Sequence, residues 1–240
     1  MPTLKLIIAE DNPRDRQYLA NLLAQHQLSF AVTGNEALRL ARNHDPSFLL
    51  TDVQMPDLNG IGLAKALWQQ QPTARVVFWS QHRDEMYIRA VAKMAPLEAA
   101  YGYVLKENED SALLKALEAV FCDQQCWIDP GLKPVQARLH HKFQAVSDFE
   151  YEVLVDIAIG LTDNMIAKRR YLSRRGVQNR LSSLYAKLGI AAQGAALLPH
   201  AEMLNMRSRA IALALHRGLI NAFELENEER KFQTWLKTLS

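Results

Sequence analysis

Cysteine is almost absent: Cys122 and Cys126 are the only two in 240 residues. Two thiols make no disulfide framework, and they lack the partners of a four-ligand zinc site. The C-x3-C pair is a redox couple at most, and two ordinary reduced thiols are the plainer expectation. Long apolar runs are missing too. No segment reaches the roughly twenty apolar residues that span a bilayer. Residues 1–8 lack the basic start and long apolar core of an export signal, so a cytoplasmic protein with no membrane segment is expected. Glycine is sparse, at ten residues. The chain has no Gly-rich nucleotide loop and no Ser, His and Asp order that marks a separate enzyme site.

Acidic side chains are absent from one long stretch. Residues 165–190 hold Lys168, Arg169, Arg170, Arg174, Arg175, Arg180 and Lys187 and no acid. Twelve basic against fourteen acidic side chains lie in residues 1–122, thirteen against eight in 123–220, and three against four in 221–240. The overall +2 therefore hides a positive second half, where a polyanion is the natural partner.

What is present divides in two, and the length suits two domains that each bury a core. Short apolar runs alternate with helical patterns over residues 1–121: 4–9 then 13–25, 30–32 then 35–42, 48–51 then 61–69, 75–79 then 84–92, 102–105 then 109–121. Five such pairs predict an α/β doubly wound, five-stranded parallel sheet. Pro13 after Asp11 and Asn12 fits a helix start. Residues 123–145 lose the periodicity and read as a linker. Ser147 and Glu150 then have capping-box spacing, and a purely helical pattern follows: a first helix ended by Gly160, helices at 163–171 and 174–188, and Gly189 as a terminator.

Acidic residues sit where two apolar runs end. Glu10 and Asp11 follow the first run, and Asp52 follows Phe48, Leu49, Leu50 and Thr51. A buried strand stays apolar until it leaves the sheet, so these ends converge on one rim. A carboxylate attacks a phosphoryl group only where a divalent cation and fixed positive donors offset the repulsion. Glu10, Asp11 and Asp52 form an oxygen-rich pocket suited to Mg²⁺. Lys106 ends another strand and supplies the cation opposite. Ser80 ends a further strand, where its hydroxyl is placed to donate to a phosphoryl oxygen, and Tyr103 is placed to swing with it. Gln54 and His82 flank the pocket. Taken singly, these residues also read as a helix cap, a strand end, a solvated charge and packing.

Together, in this order, they resemble the receiver domain of two-component response regulators, over about half the chain. The resemblance implies a flavodoxin-like receiver in which Asp52 accepts phosphate from a histidine kinase. It also implies that Asp11, Asp52 and the backbone carbonyl of Gln54 coordinate Mg²⁺, with Glu10 acting mostly through water. The stretch between Ser80 and Lys106 departs from the pattern, being about four residues longer than usual around residues 92–100.

The second half resembles the LuxR-type helix-turn-helix. The residues that carry this are Glu150 to Leu154, Gly160 to Ala167, Leu172 to Arg180 and Lys187 to Ile190. Val177, Leu181, Leu184 and Leu188 share one helical face, which leaves Arg174, Arg175, Gln178, Asn179, Ser182 and Ser183 on the other. The resemblance implies that the helix starting near Ser173 enters the major groove of double-stranded promoter DNA. Gln178, Asn179 and Ser182 then face base edges, and Arg175, Arg180 and Lys187 face phosphates. The family usually has glutamate at Met165, lysine at Gln178 and histidine at Arg180. An insertion near residues 191–206 precedes the final family helix.

The expected organisation is a receiver at 1–122, a linker at 123–145, a DNA-binding domain at 146–220 and an amphipathic C-terminal tail at 221–240. In the tail Phe232, Trp235, Leu236 and Leu239 recur at helical spacing, and packing on its own domain is the expectation. The combination resembles that of a NarL/FixJ-type response regulator. It implies a transcription factor that homodimerises when active, with no enzymatic activity beyond phosphorylation and dephosphorylation of its own Asp52. A phosphorylation-independent adaptor or a constitutive DNA-binding protein with a degenerate receiver is the alternative.

Overall fold

Residues 2–43, 47–133, 135, 137, 145–190 and 205–238 are described in a computed structural model. The chain splits into two compact units, Met1–Arg83 with Tyr87–Pro134, and Asp84–Met86 with Val135–Ser240.

In the first unit, strands β1 (Lys5–Ala9), β2 (Gln27–Ala31), β3 (Phe48–Thr51), β4 (Arg75–Ser80) and β5 (Tyr101–Leu105) alternate with helices α1 (Pro13–Leu22), α2 (Gly34–Ala41), α3 (Gly60–Gln70), α4 (Glu85–Met94) and α5 (Asp110–Leu117). The central strands are apolar along their length because helices cover both faces of a parallel sheet; Ile7, Ile8, Leu49, Leu50, Val76 and Val77 are all buried. On one face Leu6, Ile8, Leu19, Leu50, Val104 and Phe121 belong to a single apolar cluster.

The sheet has six strands, one more than the sequence pattern predicts. Its order is β2-β1-β3-β4-β5-β6, where β6 is Trp127–Ile128. The strand lies inside the stretch expected to be linker. It pairs in parallel with β5, Gly102 opposite Trp127 and Tyr103 opposite Ile128. Two residues are too few to show alternation, so only the exposed edge of β5 reveals the strand. Before it, the helix expected to residue 121 is present, α5 passing without a break into a π-helical turn at Glu118–Cys122. A 3-10 turn at Pro130–Leu132 follows β6. Strand β2 also sits earlier than expected, since Val32 is outside it and Thr33 caps α2 by accepting from the Glu36 N–H.

The second unit is helical: α6 (Asp148–Ala158), α7 (Asp163–Arg169), α8 (Arg174–Lys187), α9 (Met206–His216) and α10 (Ala222–Lys237). Ser147 and Glu150 form the expected capping box on α6. Gly160 and Gly189 stop their helices at φ +88° and +74°, a region that side chains with a Cβ disfavour. Val177, Leu181, Leu184 and Leu188 are buried with Val153, Leu154 and Ile166. Of the C-terminal tail, Leu225 and Phe232 pack against this core, as expected, while Leu239 lies outside the described residues. So does most of the insertion near 191–206, of which Asn205 caps α9. No helix among the described residues is long and apolar enough to cross a membrane.

Candidate functional site

The order of the sheet reverses between β1 and β3, and a crevice forms beyond the carboxyl ends of strands at such a point. β1 runs into Glu10 and Asp11, and β3 runs into Asp52. One ligand oxygen from each of these three residues lies within 4.8 Å of the other two. Glu10 and Asp52 are buried, whereas Asp11 is exposed. Asn12 caps α1 by accepting from the Arg14 N–H, which leaves the Asp11 carboxylate out of the helix start. The backbone beyond Asp52 is held by a close approach: a Cβ on Gly60 would come within 1.9 Å of the Asp52 carbonyl oxygen. Only glycine allows α3 to begin there.

Asp52 Oδ1 accepts from the Val53 N–H at 2.5 Å, and Oδ2 accepts from Lys106 Nζ at 2.9 Å. Lys106, the residue after β5, also donates to Glu10 Oε2 at 2.7 Å and to Asp15 Oδ2 at 2.6 Å. Its ammonium lies 4.7 Å from the centre of the Trp79 ring, a favourable cation–π geometry. Burial pushes the Glu10 carboxyl up to about 6, against the opposing pull of Lys106. Burial also penalises the Lys106 charge, but Asp52, Asp15 and Glu10 outweigh it and raise its pKa, so the ammonium stays charged. Asp15 escapes the sequence reading. It stands on the first turn of α1, and no local spacing ties it to Lys106.

Ser80 and Tyr103 meet on one residue. The Ser80 Oγ accepts from the His82 N–H at 3.3 Å, while the Tyr103 hydroxyl donates to the His82 carbonyl at 2.8 Å. Both side chains are buried, and Tyr103 lies against Phe78 at 6.0 Å between ring centres. Gln54 donates through Nε2 to the Tyr87 hydroxyl at 2.9 Å, with the His82 ring edge-on to Tyr87. The cysteines are both free; burial pushes the Cys122 thiol up, away from the thiolate a redox couple needs.

In the second unit Ser173 caps α8 by accepting from the Gly176 N–H at 3.0 Å. Arg174, Arg175, Gln178, Asn179 and Ser182 are exposed along it. Arg180 is half-buried, its guanidinium 4.6 Å from the centre of the Phe149 ring. Two residues expected on this face are turned inward. Ser183 donates to Glu150 Oε1 at 2.6 Å and Lys187 Nζ to Glu150 Oε2 at 2.7 Å. Burial opposes the Glu150 charge, but these bonds and the capping contacts with Ser147 hold its carboxyl below the ordinary range.

The acid-free basic run is also not a uniform surface. Arg169 donates to Asp156 Oδ1 at 2.5 Å and to Glu228 Oε1 at 2.7 Å. Arg170 donates to both Asp156 oxygens, at 2.8 and 3.0 Å, and to Glu228 at 3.1 Å. Asp156 is completely buried. Compensating acids thus exist for this run, supplied from α6 and α10 rather than from within it.

A doubly wound sheet with acids and a lysine at its switch point is thus followed in the chain by a helical unit of helix-turn-helix type. Residues 6–118 match the response regulator receiver domain. The chain is 26% identical to the transcriptional regulatory protein DegU of Brevibacillus brevis over 214 residues, covering 78% of this chain and 88% of that one. It is 25% identical to the nitrate/nitrite response regulator protein NarL of Escherichia coli K12 over 195 residues, 76% of this chain and 88% of that one. The structure of RcsB from Salmonella enterica serovar Typhimurium, bound to promoter rprA with a phosphomimetic, aligns with a TM-score of 0.57 at 21% identity, over 90% of this chain and 99% of that one. This last likeness concerns the fold. The chain thus carries a response regulator receiver domain at residues 6–118, and the relatives it resembles beyond that domain are transcriptional regulators.

Proposed function

We propose that the chain is a transcription factor switched by phosphorylation of Asp52, with a histidine kinase as donor and double-stranded promoter DNA as target. The observation that carries this reading is Lys106 Nζ at 2.9 Å from Asp52 Oδ2, beside three carboxylates whose oxygens cluster within 4.8 Å. Hard oxygen donors around a small pocket suit Mg²⁺, which Asp11, Asp52 and the Gln54 carbonyl would hold, with Glu10 through water. When bound, Mg²⁺ neutralises charge on the transferring phosphoryl group. An Asp52 oxygen attacks phosphorus, the bond from phosphorus to the donor atom breaks, and the donor leaves with the electron pair. Lys106 then pairs with a phosphoryl oxygen.

Ser80 is the residue placed to donate to another phosphoryl oxygen. Its oxygen accepts from the His82 N–H, which leaves its own proton to donate, and Tyr103 holds the carbonyl of the same residue. Ser80 and Tyr103 are therefore coupled through the backbone of His82, across two adjacent peptide groups, and this loop is the two-state element that phosphorylation biases. The readout is DNA binding, with homodimerisation in the active form. Arg175 and Arg180 would meet phosphates, with Arg174 beside them, and Gln178, Asn179 and Ser182 would meet base edges. Lys187 contributes to phosphate binding only on leaving Glu150.

The test compares the native chain with Asp52→Asn for DNA affinity and oligomeric state, with and without Mg²⁺ and a small phosphodonor. Phosphodonor-dependent tightening or dimerisation that is lost in Asp52→Asn is expected. DNA binding that ignores the phosphodonor favours a constitutive binder, and no DNA affinity even at low salt favours an adaptor.

A further inference from the structure

Lys106 is held by one carboxylate more than a phosphoacceptor requires. A lysine ammonium has three N–H donors, and here each meets a different acid: Asp15 at 2.6 Å, Glu10 at 2.7 Å and Asp52 at 2.9 Å. A phosphoryl oxygen inherits only the donor that the Asp52 carboxylate gives up on becoming an acyl phosphate, and a second phosphoryl contact requires one of the other two pairs to open. Glu10 is not the one to yield, because its side chain is 1% exposed and its other oxygen accepts from the Asn12 N–H at 3.1 Å. Asp15 stands on the first turn of α1 with 30% of its side chain exposed. Water can replace the ammonium there at little cost. Its charge also adds to the field that opposes an incoming phosphoryl group.

We propose that Asp15 is a positioning residue that competes with phosphorylated Asp52 for the Lys106 ammonium, and thereby limits both how fast the acyl phosphate forms and how long it lasts. The inference rests on the reading of Asp52 as phosphoacceptor. Without the Asp15 charge, Lys106 keeps Glu10, Asp52 and the face of Trp79, so its head group stays in place and one donor is freed toward phosphorus. With acetyl phosphate as donor, an Asp52 oxygen attacks phosphorus and acetate leaves with the electron pair. In hydrolysis, water attacks phosphorus, the phosphorus–Asp52 bond breaks, and phosphate departs as the carboxylate is restored. A freed Lys106 stabilises the entering phosphoryl group in the first reaction and the phosphorylated state before the second.

The experiment follows acetyl phosphate labelling and loss of label at saturating Mg²⁺ in the full-length chain, its Asp15→Asn and Asp15→Glu variants, and Asp52→Asn. Asp15→Asn is expected to label faster and to hold its phosphate longer, each by about three- to fivefold, the scale of one partly exposed ion pair. Asp15→Glu restores the charge and is expected to return both rates toward native. A merely structural role would lower the melting temperature of Asp15→Asn and leave the lifetime unchanged or shortened, which overturns the proposal. A native chain that takes no label overturns the phosphoacceptor reading and this inference together. Labelling with equal lifetimes in native and Asp15→Asn overturns the role of Asp15 alone.

Discussion

At the scale of single residues, the acidic pocket is organised by what burial does to charge. Glu10 is pushed up to about 6 from an ordinary 4.5, so the folded chain takes up a proton between those values where the unfolded chain does not. Its contribution to stability is then complete below about 4.5 and is lost as the pH rises through about 6. Melting in chelator across pH 4.5 to 6.5 should show the native chain losing stability relative to Glu10→Gln. Mg²⁺ should recover it, because a bound cation takes the place of the proton. The same pocket shows the limit of reading residues one at a time. Asp52, Glu10, Asp11 and Lys106 announce themselves at strand ends, but Asp15 sits on an exposed helical turn whose partner is 91 residues away.

At the scale of elements, two short-range signals mislead in the same way. β6 carries no periodicity, yet Asp129 fastens it: its backbone N–H donates to the Tyr103 carbonyl at 3.0 Å, and its carboxylate accepts from the Leu105 N–H at 3.2 Å, the Gly131 N–H at 2.8 Å and the Asn108 side chain. These bonds, rather than strand length, hold the sixth strand. Asp129→Ala should therefore raise amide exchange at Trp127 and Ile128 while β1 to β4 stay protected, at a local cost of about 1–3 kcal/mol, read by hydrogen exchange. In the helical unit Asp156 serves two arginines from full burial, and Glu228 brings in the tail helix, whose Phe232 lies 5.5 Å from the Arg169 guanidinium. Asp156→Ala leaves both guanidinium groups without their central acceptor. It should destabilise the helical unit by about 3 kcal/mol, the usual scale for breaking a buried pair, measured by urea unfolding of the intact chain. Burial opposes the Glu228 charge as well, but Lys231, Arg169 and Arg170 hold its carboxyl below the ordinary range. Its contribution is thus present above the ordinary carboxylate pKa and fades on acidification.

At the scale of the whole molecule, the charge asymmetry points to a polyanion while overstating the available surface. Of seven basic residues in 165–190, Arg169, Arg170 and Lys187 are committed to internal acids, which leaves Lys168, Arg174, Arg175 and Arg180. If these four make the phosphate contacts, log affinity should fall against log salt with a slope of about −4 per protomer. A filter-binding or anisotropy titration that gave about −6 would mean that the internal pairs open on DNA. By itself the sequence determined the alternation of strands and helices, the capping box, the glycine stops, the apolar face of α8 and the convergence of Glu10, Asp11 and Asp52. All but the last are local, set by side-chain period and backbone permissiveness, and the convergence follows from apolar runs that end at one rim of a parallel sheet. Tertiary structure alone decided that a two-residue segment is a strand, that Asp15 shares Lys106, and that Asp156 and Glu228 neutralise part of the basic run. Each of these is a pairing between residues far apart in the chain, and its energy exists only once folding has brought both groups out of water and into contact.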